Sequence, residues 1–192
     1  MSKLRPIKSL PSVEYLMECF DYDQVTGFLT WRIRPLSHFP NKGAGNRWNT
    51  CFAGKRVGWA NVHGTRSRLY VKLDYVSYLV HRVAWAIYYG VWPVQFLDHI
   101  NRNPFDNRIN NLRQVTNGQN RANSKSSSVG RPKGVYWRKD NRRWCSNITV
   151  GGKKRHLGYF ATAIEAAVAF EQAAREIYGE FLCVEARDGP TG

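Results

Sequence analysis

Cysteine is scarce in this sequence, and its spacing excludes the usual cysteine-based sites. The four cysteines stand far apart at positions 19, 51, 145 and 183, so there is no Cys-x-x-Cys pair and no Cys or His partner at zinc spacing. No apolar run approaches the roughly 18 residues of a membrane helix, and the first 20 residues lack the apolar stretch of a signal peptide. We therefore expect free thiols, no zinc, no membrane contact and a cytoplasmic location.

Acidic residues are also few. The 14 Asp and Glu face 29 Lys and Arg, which gives a formal net charge of +15 and a pI near 10. Such an excess favours a partner with dense negative charge, nucleic acid first and an anionic membrane second. Charge alone does not separate DNA from RNA. Because 43% of the residues are hydrophobic, the chain should fold rather than remain disordered.

Several elements can be predicted before the central region. The spacing after Ser12 predicts a short helix, residues 23–27 a turn, and residues 28–34 a strand. Residues 35–50, rich in Pro, Gly and Asn, predict a loop. Residues 51–62 and 67–80 predict strands on which basic residues, among them Arg66 and Arg68, alternate with aromatic ones. A helix is expected over 78–90, with Gly90 as its stop.

The segment 97–120, LDHINRNPFDNRINNLRQVTNGQN, is too polar for a core and too patterned for a tail. A strand ends at the pair Asp98–His99, a polar loop of about ten residues follows, and a second strand covers 111–116. Thr116 or Asn117 can cap a short helix whose first turn holds Asn120. The segment is therefore predicted to run strand, loop, strand, helix.

These residue types suit phosphodiester hydrolysis. A hard divalent cation with oxygen ligands can neutralise the phosphate and assist the leaving oxygen, and a neutral imidazole can activate a water. Asp98 offers a carboxylate, Asn120 a carbonyl oxygen and His99 the imidazole. In a regular strand, however, neighbouring side chains point to opposite faces, so periodicity alone does not establish a site. A polar loop without catalysis remains the alternative from the residues.

A family resemblance bears on this choice. The run LVHRVAWAIYYG, the Asp–His pair, NNLR-x-VT and the trailing N-R-x-N resemble the phage-type HNH homing endonucleases of the H-N-N pattern, over about 45 residues. The resemblance implies a ββα-metal finger in which His99 is the general base, Asn111 braces the loop and orients the histidine, and Asp98 and Asn120 bind the metal. Mg²⁺ is then the expected metal, with Mn²⁺ possible and zinc excluded. Other asparagines read as loop formers, namely Asn101, Asn103, Asn107, Asn110 and Asn123.

The sequence after residue 132 predicts a different module. It contains three short strands with turns at KDNR and GGKK, then a helix that begins at the capping box of Thr162 and Glu165 and ends at Gly179. Arg side chains on such strands can pair with guanine in the major groove, which also admits a β-ribbon. For Trp144, DNA contact and a place in the core are both open.

Residues 133–184 resemble the Apetala/ethylene-response-factor DNA-binding domain, through the GV start, the RW pair, LGYF-x-T-x-x-EAA-x-AF and YGEF. In that family the outer face of the sheet enters the major groove. The resemblance implies DNA contacts by Arg138, Arg143, Trp144 and Arg155, with Lys153 nearby. The turn KDNRR is one residue longer than the common plant pattern, and Tyr136 stands where an Arg is frequent, so base specificity does not transfer.

Together these predictions define an α+β chain: a ββα-metal nuclease domain with an N-terminal β-rich extension, then a small three-stranded sheet packed on one helix. The expected boundaries are 1–76 for a DNA-contacting extension, 77–123 for the nuclease core, 124–132 for a linker and 133–185 for the recognition module. We expect a monomer that nicks double-stranded DNA, leaving 5′-phosphate and 3′-hydroxyl ends, in the host cytoplasm if a phage encodes it. The alternatives are a DNA-binding regulator with a decayed nuclease domain and an RNA-binding protein. Further expected DNA contacts come from Arg66, Arg68, Arg108 and Arg113.

Overall fold

The computed structural model describes residues 9–61, 67–124 and 132–182. The chain divides into two compact units, residues 1–113 and 114–192, which we describe separately. Helices are mixed with four small sheets. The unit boundary falls within a strand, and most of the expected 124–132 linker lies outside the described residues, so the four-part division stays a prediction. The expected Arg66 contact and the connection at 63–65 also lie outside them.

The first unit begins with helix α1, Val13–Cys19, which Ser12 caps by accepting a hydrogen bond from the backbone of Tyr15, as predicted. Strands β1, Phe20–Asp23, and β2, Phe28–Trp31, form an antiparallel hairpin. The predicted turn lies between them and ends at Gly27. The inner faces of these elements enter the main core of the unit, which contains Leu16, Cys19, Phe20, Leu29, Val57, Val71, Leu73, Val80, Val83 and Ala86.

The loop predicted for 35–50 is wrong, because residues Lys42–Phe52 form helix α2. The side chain of Asn41 caps it by accepting from the backbone N–H of Ala44 at 2.8 Å. Gly43 and Gly45 disfavour a helix locally, yet a Cβ at Gly45 would stand 2.7 Å from a methyl carbon of Leu36. Packing therefore overrides propensity here. The same helix takes Cys51 and Phe52 out of the strand expected for 51–62.

A three-stranded antiparallel sheet follows, in the order β3, Trp59–Asn61, β4, Arg68–Leu73, and β5, Val76–Leu79. Helix α3, Val80–Tyr89, continues directly from β5 and ends at Gly90, whose φ of 72° is left-handed. The predicted helix and its glycine stop are confirmed, although residues 78 and 79 belong to the strand. Five side chains of α3 besides His81 are buried: Val80, Val83, Ala84, Trp85 and Ala86.

The central segment has the predicted order of elements along the chain. Strand β6 is Phe96–His99, a 3₁₀ turn covers Ile109–Asn111, β7 is Leu112–Val115, and helix α4 is Asn117–Asn123. Strands β6 and β7 form a two-stranded sheet. Leu97 and Ile109 pack with Trp85 and Leu112 in a second small core of the first unit. This core fixes β6 against α3.

In the second unit, strands β8, Val135–Arg138, β9, Arg143–Val150, and β10, Lys153–Phe160, form an antiparallel sheet with β9 in the middle. Helix α5, Ala163–Tyr178, has the predicted capping box, and its last turn ends at Gly179. Its alanines 166 and 167 pack on Val135, with Trp144 and Phe160 at the edge of that core. This unit thus has three strands followed by one helix, the order of elements that the sequence predicts.

Candidate active site and nucleic-acid interface

Asp98 and His99 stand together at the end of β6, and both are buried. The side chains have different partners, as the alternation of a regular strand requires. Asp98 Oδ2 accepts hydrogen bonds from the Arg113 guanidinium, with Nε and Nη2 each 3.2 Å away. The Nε2 atom of His99 lies 3.0 Å from the side-chain oxygen of Asn107. The two neighbours therefore occupy different electrostatic surroundings.

His99 is held in the neutral form. Burial lowers its pKa, and the hydrogen bond with Asn107 and the charge of Asp98 only partly oppose this effect. The ring of His81, in α3, packs edge-on against the His99 ring at a centroid distance of 5.1 Å. The pKa of His81 is lowered to about 3, first by burial and second by the charge of His99. A neutral imidazole at neutral pH is what a general base needs.

Asn111 braces the loop that follows. Its side-chain oxygen accepts from the backbone N–H of Asn101 at 3.0 Å, and its amide donates to the Asn101 side chain at 2.9 Å and to the Asp106 carbonyl at 2.8 Å. The residue that follows β6 also contacts it, since the Ile100 N–H donates to the Asn111 carbonyl. The bracing part of its expected role thus has a direct geometric basis. His99 itself has a hydrogen bond with the side-chain oxygen of Asn107.

The same loop contains a second fixed group, Asp106. Arg108 donates to its two oxygens at 2.8 and 2.6 Å, and the Asn101 amide donates at 2.7 Å. These hydrogen bonds, with that of Arg108 the strongest, lower the pKa of Asp106 to about 2. The loop is therefore closed by a network of side chains around an ionised carboxylate.

The expected metal ligands fit a hard cation by their chemistry. Asp98 supplies carboxylate oxygens and Asn120 an amide oxygen, the donor types that Mg²⁺ and Mn²⁺ prefer. Asn120 lies in α4, whose capping box joins Thr116 and Gln119, and α4 belongs to the second unit. Within the described ranges, no group of three or more His, Cys, Asp or Glu side chains is arranged to hold a metal.

The basic residues predicted to bind DNA differ in their contacts. Arg113 is half-buried and paired with Asp98, and Arg108 is exposed and paired with Asp106. Arg68 is exposed on β4. Arg113 therefore contacts one member of the candidate catalytic pair directly.

The predicted contacts in the second unit divide between the two faces of its sheet. Strand partners share a face, and the register pairs Arg138 with Arg143. Trp144 packs towards the helix, and alternation along β9 puts Ile148, the partner of Arg155, on that same side. A single outer face therefore holds Arg138 and Arg143 but not Trp144 and Arg155, which corrects the expectation that all four share it. By the same rule, Lys153 lies on the same face of the sheet as its strand partner Val150.

The outer face also carries Lys154, which the sequence did not single out. Lys154 pairs with Thr149 in the register, and its ammonium lies 5.2 Å from the ring centre of Tyr136. Arg143 and Lys154 are exposed, whereas Arg138 is half-buried and paired with Asp140. Side chains alternate between the two faces along a strand, so the segment GGKKR could have shown that Lys154 lies on the opposite face from Lys153 and Arg155.

Two site residues escaped the sequence reasoning altogether. Asn107 was taken as a loop former, but it is 1% exposed and hydrogen-bonds His99. Tyr22 donates from its hydroxyl to the Asn107 carbonyl at 2.7 Å. Since 85 positions separate these two residues, no local pattern could have joined them.

The sequence around this site matches a known protein family. Residues 78–122 match the model of the HNH endonuclease family, a stretch that runs from the end of β5 through most of α4. The chain thus carries an HNH endonuclease domain at these residues, and Asp98, His99, Asn107 and Asn111 all lie within it.

The chain is also similar to a curated protein. Over 104 residues the chain is 29% identical to Protein 3.8 of Escherichia phage T7, a match that covers 53% of this chain and 85% of that protein. No solved structure matches. Within the described residues, no helix is long and apolar enough to cross a membrane.

Proposed function

We propose that this protein is a metal-dependent HNH endonuclease of the homing type that nicks double-stranded DNA, with a separate recognition module at its C-terminal end. One observation carries the proposal. The HNH match coincides with a buried histidine that is held neutral beside a buried aspartate. The net charge of +15 agrees with a DNA substrate.

In this mechanism His99 is the general base. Its Nε2–H donates to Asn107, and its Nδ1 is the atom that takes a proton from the attacking water. Arg113 compensates the charge of Asp98 until substrate and cofactor bind. When bound by Asp98 and Asn120, Mg²⁺ or Mn²⁺ would neutralise charge on the phosphate and stabilise the departing 3′ oxygen. The products are a 5′-phosphate and a 3′-hydroxyl, and one such set of residues accounts for one nick per binding event.

The C-terminal sheet supplies recognition in this proposal, in the manner of the Apetala/ethylene-response-factor domain. Arg138, Arg143 and Lys154 share the face of the sheet away from α5, and we propose that this face enters the major groove. Arg155, Lys153 and Trp144 lie on the other face of the sheet and are not part of this surface. Arg68 and Arg108 are proposed to hold phosphates from the first unit, and a monomer is the proposed form of the protein.

A plasmid assay tests the catalytic part. Supercoiled plasmid DNA that contains a cognate site is incubated with the protein and Mg²⁺, Mn²⁺ or chelator. We expect conversion to the open circle with metal only, and a loss of about 10²- to 10⁴-fold in rate for His99→Ala. His38→Ala removes another histidine of the same unit, which pairs with Glu18 at 2.7 Å, and should keep the wild-type rate. Intact plasmid under every condition would refute the enzyme.

DNA binding tests the recognition part. We expect Arg143→Ala to weaken DNA binding by about 10- to 100-fold if the guanidinium reads a base. The matched control is Arg175→Ala, which removes the same charge from an exposed position of α5. Equal losses for the two variants would mean that only net charge matters. Stronger binding to structured RNA than to duplex DNA at matched salt would favour the RNA-binding alternative.

A further inference from the structure

The buried residue Asn107 connects the candidate base to another part of the chain. Its side-chain oxygen lies 3.0 Å from His99 Nε2. An amide oxygen can only accept a hydrogen bond, so this contact requires the proton of the neutral ring on Nε2. The edge-on contact of His81 restricts the same ring from a second direction. The orientation and the tautomer of His99 therefore depend on where Asn107 is held.

Asn107 is in turn held by the β1–β2 hairpin. The Tyr22 hydroxyl donates to its backbone carbonyl at 2.7 Å, and burial raises the pKa of Tyr22, so the donor stays protonated. The hydrophobic body of Tyr22 packs against the small core of Trp85, Leu97, Ile109 and Leu112. The hydroxyl is thus fixed by packing as well as by its hydrogen bond.

Gly27 provides the second contact between the hairpin and this loop. Its φ is +73°, and a Cβ there would lie 2.4 Å from the backbone N of Arg108 and 2.6 Å from the carbonyl carbon of Asn107. No side chain fits in that space, so the turn of the hairpin lies directly against the loop backbone. Tyr22 and Gly27 hold Asn107 from two directions.

We propose that the β1–β2 hairpin is a positioning element for His99: Tyr22 and Gly27 fix Asn107, and Asn107 fixes the imidazole with Nε2 protonated. The catalytic consequence rests on the proposed nuclease function, whereas the tautomer does not. Asn107 and Tyr22 are positioning residues that touch neither DNA nor water in the reaction. The N-terminal segment expected to contact DNA thereby has a part in organising the catalytic loop.

The nicking rate under single-turnover conditions measures the catalytic consequence. We expect Asn107→Ala to slow nicking by about 10- to 100-fold, the range seen when groups that orient a reactive side chain are removed. Tyr22→Phe should slow it several-fold, while DNA affinity stays within twofold of wild type for both. Tyr15→Phe is the control, because its hydroxyl donates to Asp74 in the same unit, away from the loop. A loss of nicking in Tyr15→Phe as large as in Tyr22→Phe would overturn the proposal.

The second measurement needs no activity. Long-range ¹H–¹⁵N spectra of the full chain report which ring nitrogen of each histidine carries the proton, and His99→Gln identifies the signals of His99. We expect Nε2–H in the wild type and in Tyr15→Phe, and a mixture of tautomers in Asn107→Ala and, to a smaller extent, in Tyr22→Phe. Nδ1–H in the wild type, or unchanged tautomers in both variants, would overturn the positioning role. If the wild type never nicks DNA but the tautomers shift as expected, the nuclease fails and the positioning element stands.

Discussion

Acid should destabilise the first unit through His81. This residue is 5% exposed, and its ring packs against that of His99. Its pKa is lowered from 6.5 to about 3, mainly by burial and to a smaller extent by the charges of His99, Arg68 and Arg82. The unfolded chain therefore binds a proton on this histidine at pH 5, and the folded chain does not. The free energy of unfolding should then fall as the pH falls from about 6.5 towards 3.

The size of the effect follows from linkage. Each pH unit between the two pKa values changes the free energy of unfolding by about 1.4 kcal/mol. Between pH 7 and pH 5 the loss should be about 2 kcal/mol from His81. His99, whose pKa is also lowered by burial, adds a loss of the same sign. A loss of this size is a large share of the stability of an ordinary domain.

Urea denaturation at pH 7 and pH 5, followed by circular dichroism, measures this loss. In His81→Gln the loss should be about 2 kcal/mol smaller than in the wild type, because the titrating group is gone. Val83→Ala is the control, since it removes buried apolar contacts from the same helix without removing a titrating group. It also shows which transition belongs to the first unit. Equal pH dependence in the wild type and His81→Gln would refute the reasoning.

Further predictions concern helix ends, packing and salt. Thr162→Ala should lower the free energy of unfolding of the second unit by about 1 kcal/mol, because the capping box is lost. Ile164→Ala, at a side chain that is 69% exposed, should change this free energy little. Urea denaturation curves measure both variants. Gly45→Ala should lower the free energy of unfolding of the first unit by about 1–3 kcal/mol, because the added methyl group overpacks the site. Gly43→Ala, whose nearest neighbour would be 3.4 Å away, should leave this free energy unchanged or raise it. Equal shifts of the melting temperature in the two variants would contradict this. DNA affinity should fall steeply with salt, with a log–log slope of about −0.9 for each phosphate contact, and a flat dependence in binding titrations would exclude phosphate contacts as the main source of affinity.

Elements with a chemical signal at their ends could be predicted from the sequence. Ser12, Gly90 and the pair Thr162–Glu165 each mark a helix end by a hydrogen bond or a left-handed φ, and each is found in that role. Helix α2 could not be predicted, because its glycines argue against a helix and its stabilisation is tertiary. The ring of Trp48, for example, lies 4.8 Å from that of Trp31.

The candidate site was predictable to a similar extent. The Asp98–His99 pair at a strand end follows from local order, whereas the bracing role of Asn111 was implied by the family resemblance. The contacts of Asn107 with His99 and with Tyr22 depend instead on how distant segments meet. The sequence could offer only the observation that an asparagine follows His99 by eight positions.

The adjacency of Asp98 and His99 now has a physical explanation. A metal ligand must be ionised and a general base must be neutral, yet a carboxylate close to an imidazole favours the charged ring. Alternation along β6 separates the two side chains, so Asp98 meets the Arg113 guanidinium while His99 meets the uncharged groups of Asn107 and His81. The charge of Asp98 raises the pKa of His99, but burial outweighs it. The regular strand that made a shared site doubtful from the sequence therefore gives the two neighbouring side chains different electrostatic surroundings.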